Sequence, residues 1–443
     1  MPGAPCAFEH APRGFKARCS QPWSFILEAS TRDEESTAAR NRACSVPNLL
    51  FNEHSFDNHD HYNYAIRWTI ILMPDPQFHD ALRVSDDERL EGSVCDASEP
   101  LHLEVGFDSL AQKRKVFEWL GAGLRPDRPG RLQLEFPLLF KDNASVFHLT
   151  LFRDSTPIAF CCLWAVHFRI GVMPMRVGLI SLVYTDANAR GHGYAKLVVD
   201  AALERARALN LGLAMLWSEA DSLYKRLGFT PAGSETLLVV DRPTLDAALS
   251  ELIAECGPPP ASVDSPTAKD WTAIERLRGD RDCQLELDPG ELALMRSIPD
   301  MGVRVARDSN GVTAFAIRGR GDDFQEVIHE WAGDPAGVLG CCRDLLDDFE
   351  PHNELFLISP PDRSEVPWRL RRAGAPVIRK PLGWMRIVSA SAFREDVSRI
   401  MAGPHDALES HRTTGDEEFR IASLDQTFAA LPFSFFVWGM ESI

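Results

Sequence analysis

Arg190-Gly191-His192-Gly193-Tyr194-Ala195 stands between an apolar, strand-like run from Val177 to Val183 and an amphipathic helical stretch that begins near Tyr194. Glycines at 191 and 193 let the backbone turn tightly and approach a ligand. The first N–H groups of a helix have no intrahelical partner and carry the positive end of its dipole. Together these features read as a cradle for a phosphate, and the ligand implied is a phosphorylated cofactor. Beyond the loop, Ala195, Val198, Val199, Ala202, Ala206 and Leu209 share one stripe, while Lys196, Asp200 and Arg207 fall off it, so one helix face packs on a sheet.

The spacing decides among phosphate-binding patterns. A dinucleotide-binding G-x-G-x-x-G needs a third glycine where this chain has Lys196, and a P-loop needs a Gly-Lys-Ser/Thr ending that is absent here. What remains is Arg-x-x-Gly-x-Ala, followed some thirty residues later by Leu223-Tyr224-Lys225-Arg226-Leu227-Gly228-Phe229. In that order and at that distance, the two stretches resemble the GNAT superfamily of acetyl-CoA-dependent N-acetyltransferases. Its pyrophosphate loop reads Arg/Gln-x-x-Gly-x-Gly/Ala, and its later Tyr-x-x-x-Gly-Phe follows a strand. The resemblance implies an α/β (α+β) fold with a mixed, mostly antiparallel central sheet flanked by helices.

The same resemblance assigns residues. Backbone groups of Leu182, Val183 and Tyr184, on a strand that is bulged and splayed in the family, would hold the pantetheine arm of coenzyme A and polarise the thioester. Arg190 and the N–H groups of Gly191, His192, Gly193, Tyr194 and Ala195 would hold the pyrophosphate. Tyr224 is the expected general acid, because its family counterpart lies near the cofactor sulfur and a phenol stays protonated at neutral pH. Lys225 or Arg226 is a further candidate for a cofactor phosphate. The base is left open among His167, Glu135, Glu219, a water relay, and Glu441 or the Ile443 carboxylate if the C-terminus enters the cleft. The expected donor is acetyl-CoA and the acceptor a small-molecule or peptide amine. The rival reading is a non-catalytic acyl-CoA-binding regulatory protein.

Composition narrows the partners. With 64 acidic against 47 basic residues the net charge is −17, which disfavours nucleic acid as a partner. The ten cysteines are scattered and form no C-x-x-C, so neither a disulfide framework nor a structural zinc site is expected. The histidines and aspartates of Asn52 to Tyr62 read as a polar loop, and no metal site is expected. The longest apolar stretch, Ile158 to Phe168, falls short of the roughly 20 residues that a bilayer requires. No secretory signal is read at the N-terminus, and scattered, reduced thiols lead to the expectation of a cytoplasmic protein.

Four segments are expected: a poorly structured extension over 1–100, the acetyltransferase domain over 101–256, a proline-rich linker over 257–262, and a degenerate GNAT-like domain over 263–443. Asp108 is expected to cap a helix through Leu120, and Ser218 with Asp221 to form a capping box ahead of Tyr224. Strands around Phe229 to Val240 close the first domain. The second half repeats the element order, with a hairpin turning at Asp308-Ser309-Asn310-Gly311. Ala332-Gly333-Asp334-Pro335-Ala336-Gly337 replaces the phosphate loop, and its aspartate would repel an anion. The apolar tail from Leu431 to Ile443 is expected to dock between the domains.

Overall fold

A computed structural model describes residues 70–71, 101–142, 144–257, 262–349, 353–361, 364–402, 424–431 and 434–441. Most of the 1–100 extension, including the segment Asn52 to Tyr62, lies outside the described residues, as does 258–261 of the proline-rich linker.

In chain order, β1 (Ile70–Ile71) and β2 (Leu101–Val105) precede α1 (Leu110–Leu124), α2 (Arg131–Glu135) and α3 (Pro137–Phe140). The chain then forms β3 (Val146–Arg153), β4 (Thr156–Ile170), β5 (Met173–Thr185), α4 (Tyr194–Ala208), β6 (Leu213–Leu216), α5 (Asp221–Arg226) and β7 (Thr230–Ala232). After it come β8 (Glu235–Asp241), α6 (Arg242–Cys256), β9 (Ser262–Asp264), α7 (Trp271–Gly279), β10 (Cys283–Leu285) and α8 (Pro289–Met295). The remainder comprises β11 (Gly302–Asp308), β12 (Gly311–Arg320), β13 (Asp323–Gly333), α9 (Pro335–Asp347), β14 (Glu354–Ser359), α10 (Glu365–Arg372), β15 (Val377–Lys380), β16 (Gly383–Ile387), α11 (Ala390–Ala402) and α12 (Leu424–Ala430).

These strands form two mixed, mostly antiparallel sheets flanked by helices. The first runs β1-β2-β3-β4-β5-β6-β16-β7, with β10 added against β4, and the second runs β15-β8-β14-β13-β12-β11-β9. Each contains one parallel contact, β5 with β6 and β13 with β14. The two halves of the chain exchange a strand. Glu235–Asp241, read from the sequence as closing the first sheet, lies between β14 and β15 of the second. Conversely β16, from the second half, lies between β6 and β7 of the first. The crossings are two short connections, Gly233-Ser234 and Pro381-Leu382, and they touch. Gly233 has φ +71°, and a Cβ there would stand 3.0 Å from the Leu382 Cβ.

The elements follow from local chemistry. Ser109, and not Asp108, caps α1: its hydroxyl accepts from the Gln112 N–H at 3.1 Å, three residues on, while Asp108 donates its own N–H to the Gln112 side chain at 2.6 Å. An N-cap oxygen must reach the second or third helical N–H, and Asp108 stands one residue too early to do so. The stripe read along α4 is buried at Val198, Val199, Ala202 and Ala206, packed on one face of the first sheet with Leu163, Ala214 and Tyr224. On the other face α1, α2 and α3 contribute to an apolar core continuous with that of the second sheet.

The tail does dock between the sheets. Phe435 packs edge-on against Phe168 of β4 at 5.4 Å, and Trp438 against Trp331 of β13 at 5.5 Å. Beneath the tail, Arg278 and Arg281 meet Glu330 at 2.9 and 2.5 Å, and Arg278 meets Glu441 at 3.1 Å. These four side chains are buried, so the ions balance one another where water does not reach. No helix among the described residues is long and apolar enough to cross a membrane.

Candidate functional site

Strand β5 changes character over Ser181 to Tyr184. Its register with β4 pairs Tyr184 with Phe160 and Ser181 with Cys162, so Leu182 and Val183 together oppose the single residue Cys161. This is a β-bulge, and Leu182 sits in it at φ +51°, a conformation costing of order 1–3 kcal/mol for a residue with a side chain. Leu182 leans into the inter-sheet core and Val183 into the core beneath α4. On the other edge, β5 pairs with β6 only over Val177 to Leu179, although it continues to Thr185. A gap therefore opens in the sheet alongside the bulge.

The gap leads to the start of α4. Asp186 holds the turn after β5 by accepting from the Asn188 N–H at 2.9 Å, and the chain then swings through Gly191 at φ +84° and Gly193 at φ +78°. Arg190 and the three residues after it are exposed, and a Cβ built on either glycine would meet no atom within 4 Å. The loop at the start of α4 is thus open around both glycines. The Arg190 guanidinium reaches the Thr185 carbonyl at 3.3 Å. His192 stacks on Tyr194 at 5.5 Å, and the Tyr194 hydroxyl accepts from Arg153 at 3.0 Å. Arg153, on β3, is a second guanidinium at the helix start that sequence reading missed, since no motif joins it to residues forty positions away. Positive-φ glycines, orphan N–H groups and two arginines fit a phosphorylated ligand.

Tyr184 is fixed from outside its own strand. Its ring packs on Trp119 at 5.0 Å and lies so close to α1 that a Cβ on Gly123 would fall 2.2 Å from its Cζ. Only a glycine at 123 allows that approach, and this wall too was not read from the sequence.

Tyr224 lies on α5, buried edge-on against Phe229 at 6.0 Å. The expected capping box does not form. Ala220 occupies the cap position, and the Ser218 hydroxyl accepts from the Ala220 N–H at 3.0 Å, because Ser218 stands two residues too early. Burial, followed by the adjacent Cys161 thiol, pushes the Tyr224 phenol up to about 12, with the nearby Ser218 hydroxyl pulling the other way. Cys161 is itself buried and held far above an ordinary thiol, so it stays protonated.

Residues 113–229 match the acetyltransferase (GNAT) family. A structure from Enterococcus faecalis V583, described as a conserved protein of unknown function and probable N-acyltransferase, overlaps 66% of this chain and 75% of its own at 12% identity, with a TM-score of 0.51. The chain carries a GNAT-fold domain. A GCN5-related N-acetyltransferase from Anabaena variabilis ATCC 29413 overlaps 66% of this chain and 74% of its own at 12% identity and a TM-score of 0.49. One from Kribbella flavida overlaps 67% and 73% at 16% identity and 0.47. No curated protein matches the chain.

Of the remaining candidates, Lys225 and Arg226 follow Tyr224 on α5, and the others lie on other segments. Glu135 is buried on α2, where it accepts from Arg125 at 2.7 Å, Arg131 at 3.3 Å and the Asp322 N–H at 3.0 Å, tying α1 and α2 to the β12–β13 turn. His167 is exposed opposite Arg176 on β5, and Glu219 is exposed ahead of α5. Glu441 is engaged with Arg278 under the tail, where burial pushes it up to about 7. Ile443 lies outside the described residues. Lys225 pairs with Asp221 at 3.3 Å and rides over the Trp384 ring at 5.6 Å, and Arg226 is exposed.

Proposed function

We propose that this protein is an acetyl-CoA-dependent N-acetyltransferase acting on an amine of a small molecule or peptide by direct attack on the thioester. The observation that carries the reading is the bulge at Leu182-Val183 opening onto the glycine-turned start of α4. Main-chain N–H groups from Gly191 to Ala195, with Arg190, hold a diphosphate. Backbone groups freed at Leu182, Val183 and Tyr184 hold the pantetheine arm and orient the carbonyl. Acetyl-CoA, when bound, supplies the thioester. Tyr224 stays protonated throughout the neutral range. Against a thiolate of ordinary basicity, about 8.5, a phenol near 12 gives a hydrogen bond more readily than a proton, so its first contribution is to steady the departing sulfur.

Strand order supports reading the second sheet as a degenerate GNAT-like unit that shapes the cleft through α1 and α2. Free cysteines buried in both halves suit a cytoplasmic protein. The covered position of Tyr224 favours a second reading, a non-catalytic acyl-CoA-binding protein, and one experiment separates the two. Coenzyme A should bind by calorimetry, and a panel of amines with acetyl-CoA should release free thiol. Tyr224→Phe should then lower kcat about 100-fold with coenzyme A affinity changed less than about twofold. Absence of coenzyme A binding removes both readings, and binding without thiol release for any amine leaves the second.

A further inference from the structure

We infer that the exchanged strand β16 positions Tyr224, through Trp384 and Arg386, so that the second half of the chain sets the geometry of the phenol with which the first half steadies the departing sulfur. The inference rests on the reading of Tyr224 given above. Its basis is the way α5 is mounted. The segment from Trp217 to Phe229 leaves the sheet at the end of β6 and returns at β7, and these two strands are not neighbours: β16 lies between them. Met385 pairs with Met215 on one side and Thr230 on the other, and Trp384 with Leu216 and Pro231. The loop that carries Tyr224 thus stands with one foot on each side of a strand delivered from elsewhere in the sequence.

Side chains of β16 then grip both ends of α5. The Trp384 indole N–H donates to the Ser218 carbonyl at 3.0 Å, just ahead of α5, and Trp384 shares a buried apolar cluster with Tyr224. At the other end, the Arg386 guanidinium donates to the Leu227 carbonyl, at the C-cap of α5. A cation at this end also meets the negative pole of the helix. Gly228 follows with φ +76°, and the Arg386 guanidinium lies 3.6 Å from where its Cβ would be. Behind Trp384, the Trp217 indole donates to the Leu382 carbonyl at 2.8 Å, fixing the connection that brings the chain in from β15. Six residues of helix have little stability of their own, so the orientation of Tyr224 is set by what holds the ends. Trp384 and Arg386 touch no reacting atom in this account and are positioning residues.

The test uses the full chain labelled with 3-fluorotyrosine, whose fluorine brings phenol ionisation into a workable range. The resonance of Tyr224 is assigned by its loss in Tyr224→Phe, among five tyrosines. Trp384→Phe keeps a ring and removes the N–H. Arg386→Met removes the donor, and Arg386→Lys restores a cation. In Trp384→Phe and Arg386→Met the Tyr224 resonance should titrate at least about half a pH unit lower than in the parent, because a phenol released from its buried seat moves toward its ordinary value. Arg386→Lys should recover most of the difference. Unchanged titration in both variants overturns the inference.

In acetyl transfer to the amine giving most thiol release, Trp384→Phe should lower kcat about tenfold with KM for acetyl-CoA within about twofold, and should cost nothing further in a Tyr224→Phe background. An equal loss in that background overturns the inference while leaving the role of Tyr224 intact. Should Tyr224→Phe alone retain the full rate, the reading of Tyr224 as hydrogen-bond donor to the departing sulfur fails instead, and the fluorine titration by itself decides whether β16 sets its seat.

Discussion

The two sheets share a strand order and treat their central gap in opposite ways. In the first, β5 and β6 part after three paired residues, and the gap leads to a helix whose start is turned by Gly191 and Gly193 into open space. In the second, β13 and β14 pair only at Val327 with Phe356 and Ile328 with Leu357. There the Trp331 indole spans the divergence, donating to the Ile358 carbonyl at 2.8 Å, and Trp438 of the tail packs on that ring. The following helix is capped by its own Asp334, which accepts from the Gly337 N–H at 2.8 Å. Gly333 there is hemmed in, since a Cβ would lie 2.2 Å from the Thr313 carbonyl oxygen. One topology thus yields an open, glycine-turned helix start in the first sheet, and in the second a packed core where an indole and an aspartate satisfy the polar groups.

The strongest way to break this contrast is to reopen the second gap. Trp331→Ala should lower unfolding free energy by roughly 3–5 kcal/mol in a urea titration, since it empties a packed seat and strands the Ile358 carbonyl. Coenzyme A stoichiometry by calorimetry should stay at that of the parent. A new coenzyme A site in the variant would show that plugging, and not the aspartate, separates the two sheets.

Closing the first gap's exit is the converse. Gly193→Val forces a β-branched residue into φ near +78° and places methyl groups over the open N–H groups, and coenzyme A affinity should fall about 100-fold. Retained affinity would sever the ligand from the start of α4.

The smallest expected effect tests what the sheets have in common. His148 of the first and His329 of the second are buried, with Nε2 2.7 Å from the Leu139 carbonyl and 2.9 Å from the Gly319 carbonyl, and burial lowers each to about 4. A base whose folded pKa is depressed stabilises the fold above its unfolded value, near 6.5, and that contribution is lost as pH falls toward 4. Between about pH 7 and about pH 5, each histidine should remove roughly 2 kcal/mol of stability. His148→Gln and His329→Gln should each remove about that much of the parent's loss over this window. A pH dependence that neither substitution changes would mean that protonated histidines find partners in the folded state.

Much of the fold was legible because it is written locally. The hairpin at Asp308 to Gly311 and the stripe along α4 each follow from residues within a few positions of one another. The loop at Arg190 was legible for the same reason, since its conformation depends on glycines inside it. Capping failed by one or two residues at Asp108 and Ser218, where several oxygens stood near the right place and only the winding of the helix chose between them. The bulge at Leu182 has no local signature: a leucine at positive φ is imposed by its surroundings. Gly123, Arg153 and Trp384 meet the site from distant segments, and no spacing announces them.

The exchange of β8 and β16 marks the boundary most clearly. By itself the sequence determined the hairpin at Asp308 to Gly311, the stripe along α4 and the glycine-turned loop ahead of it, because periodicity, turn residues and glycine torsions act over a few bonds. Only the tertiary structure decided which sheet each strand joins, that one gap is filled and the other not, and that Glu135 and Glu441 are spent on buried ion pairs. Those outcomes depend on the competition among edges, cavities and charges that come together only when the whole chain has folded.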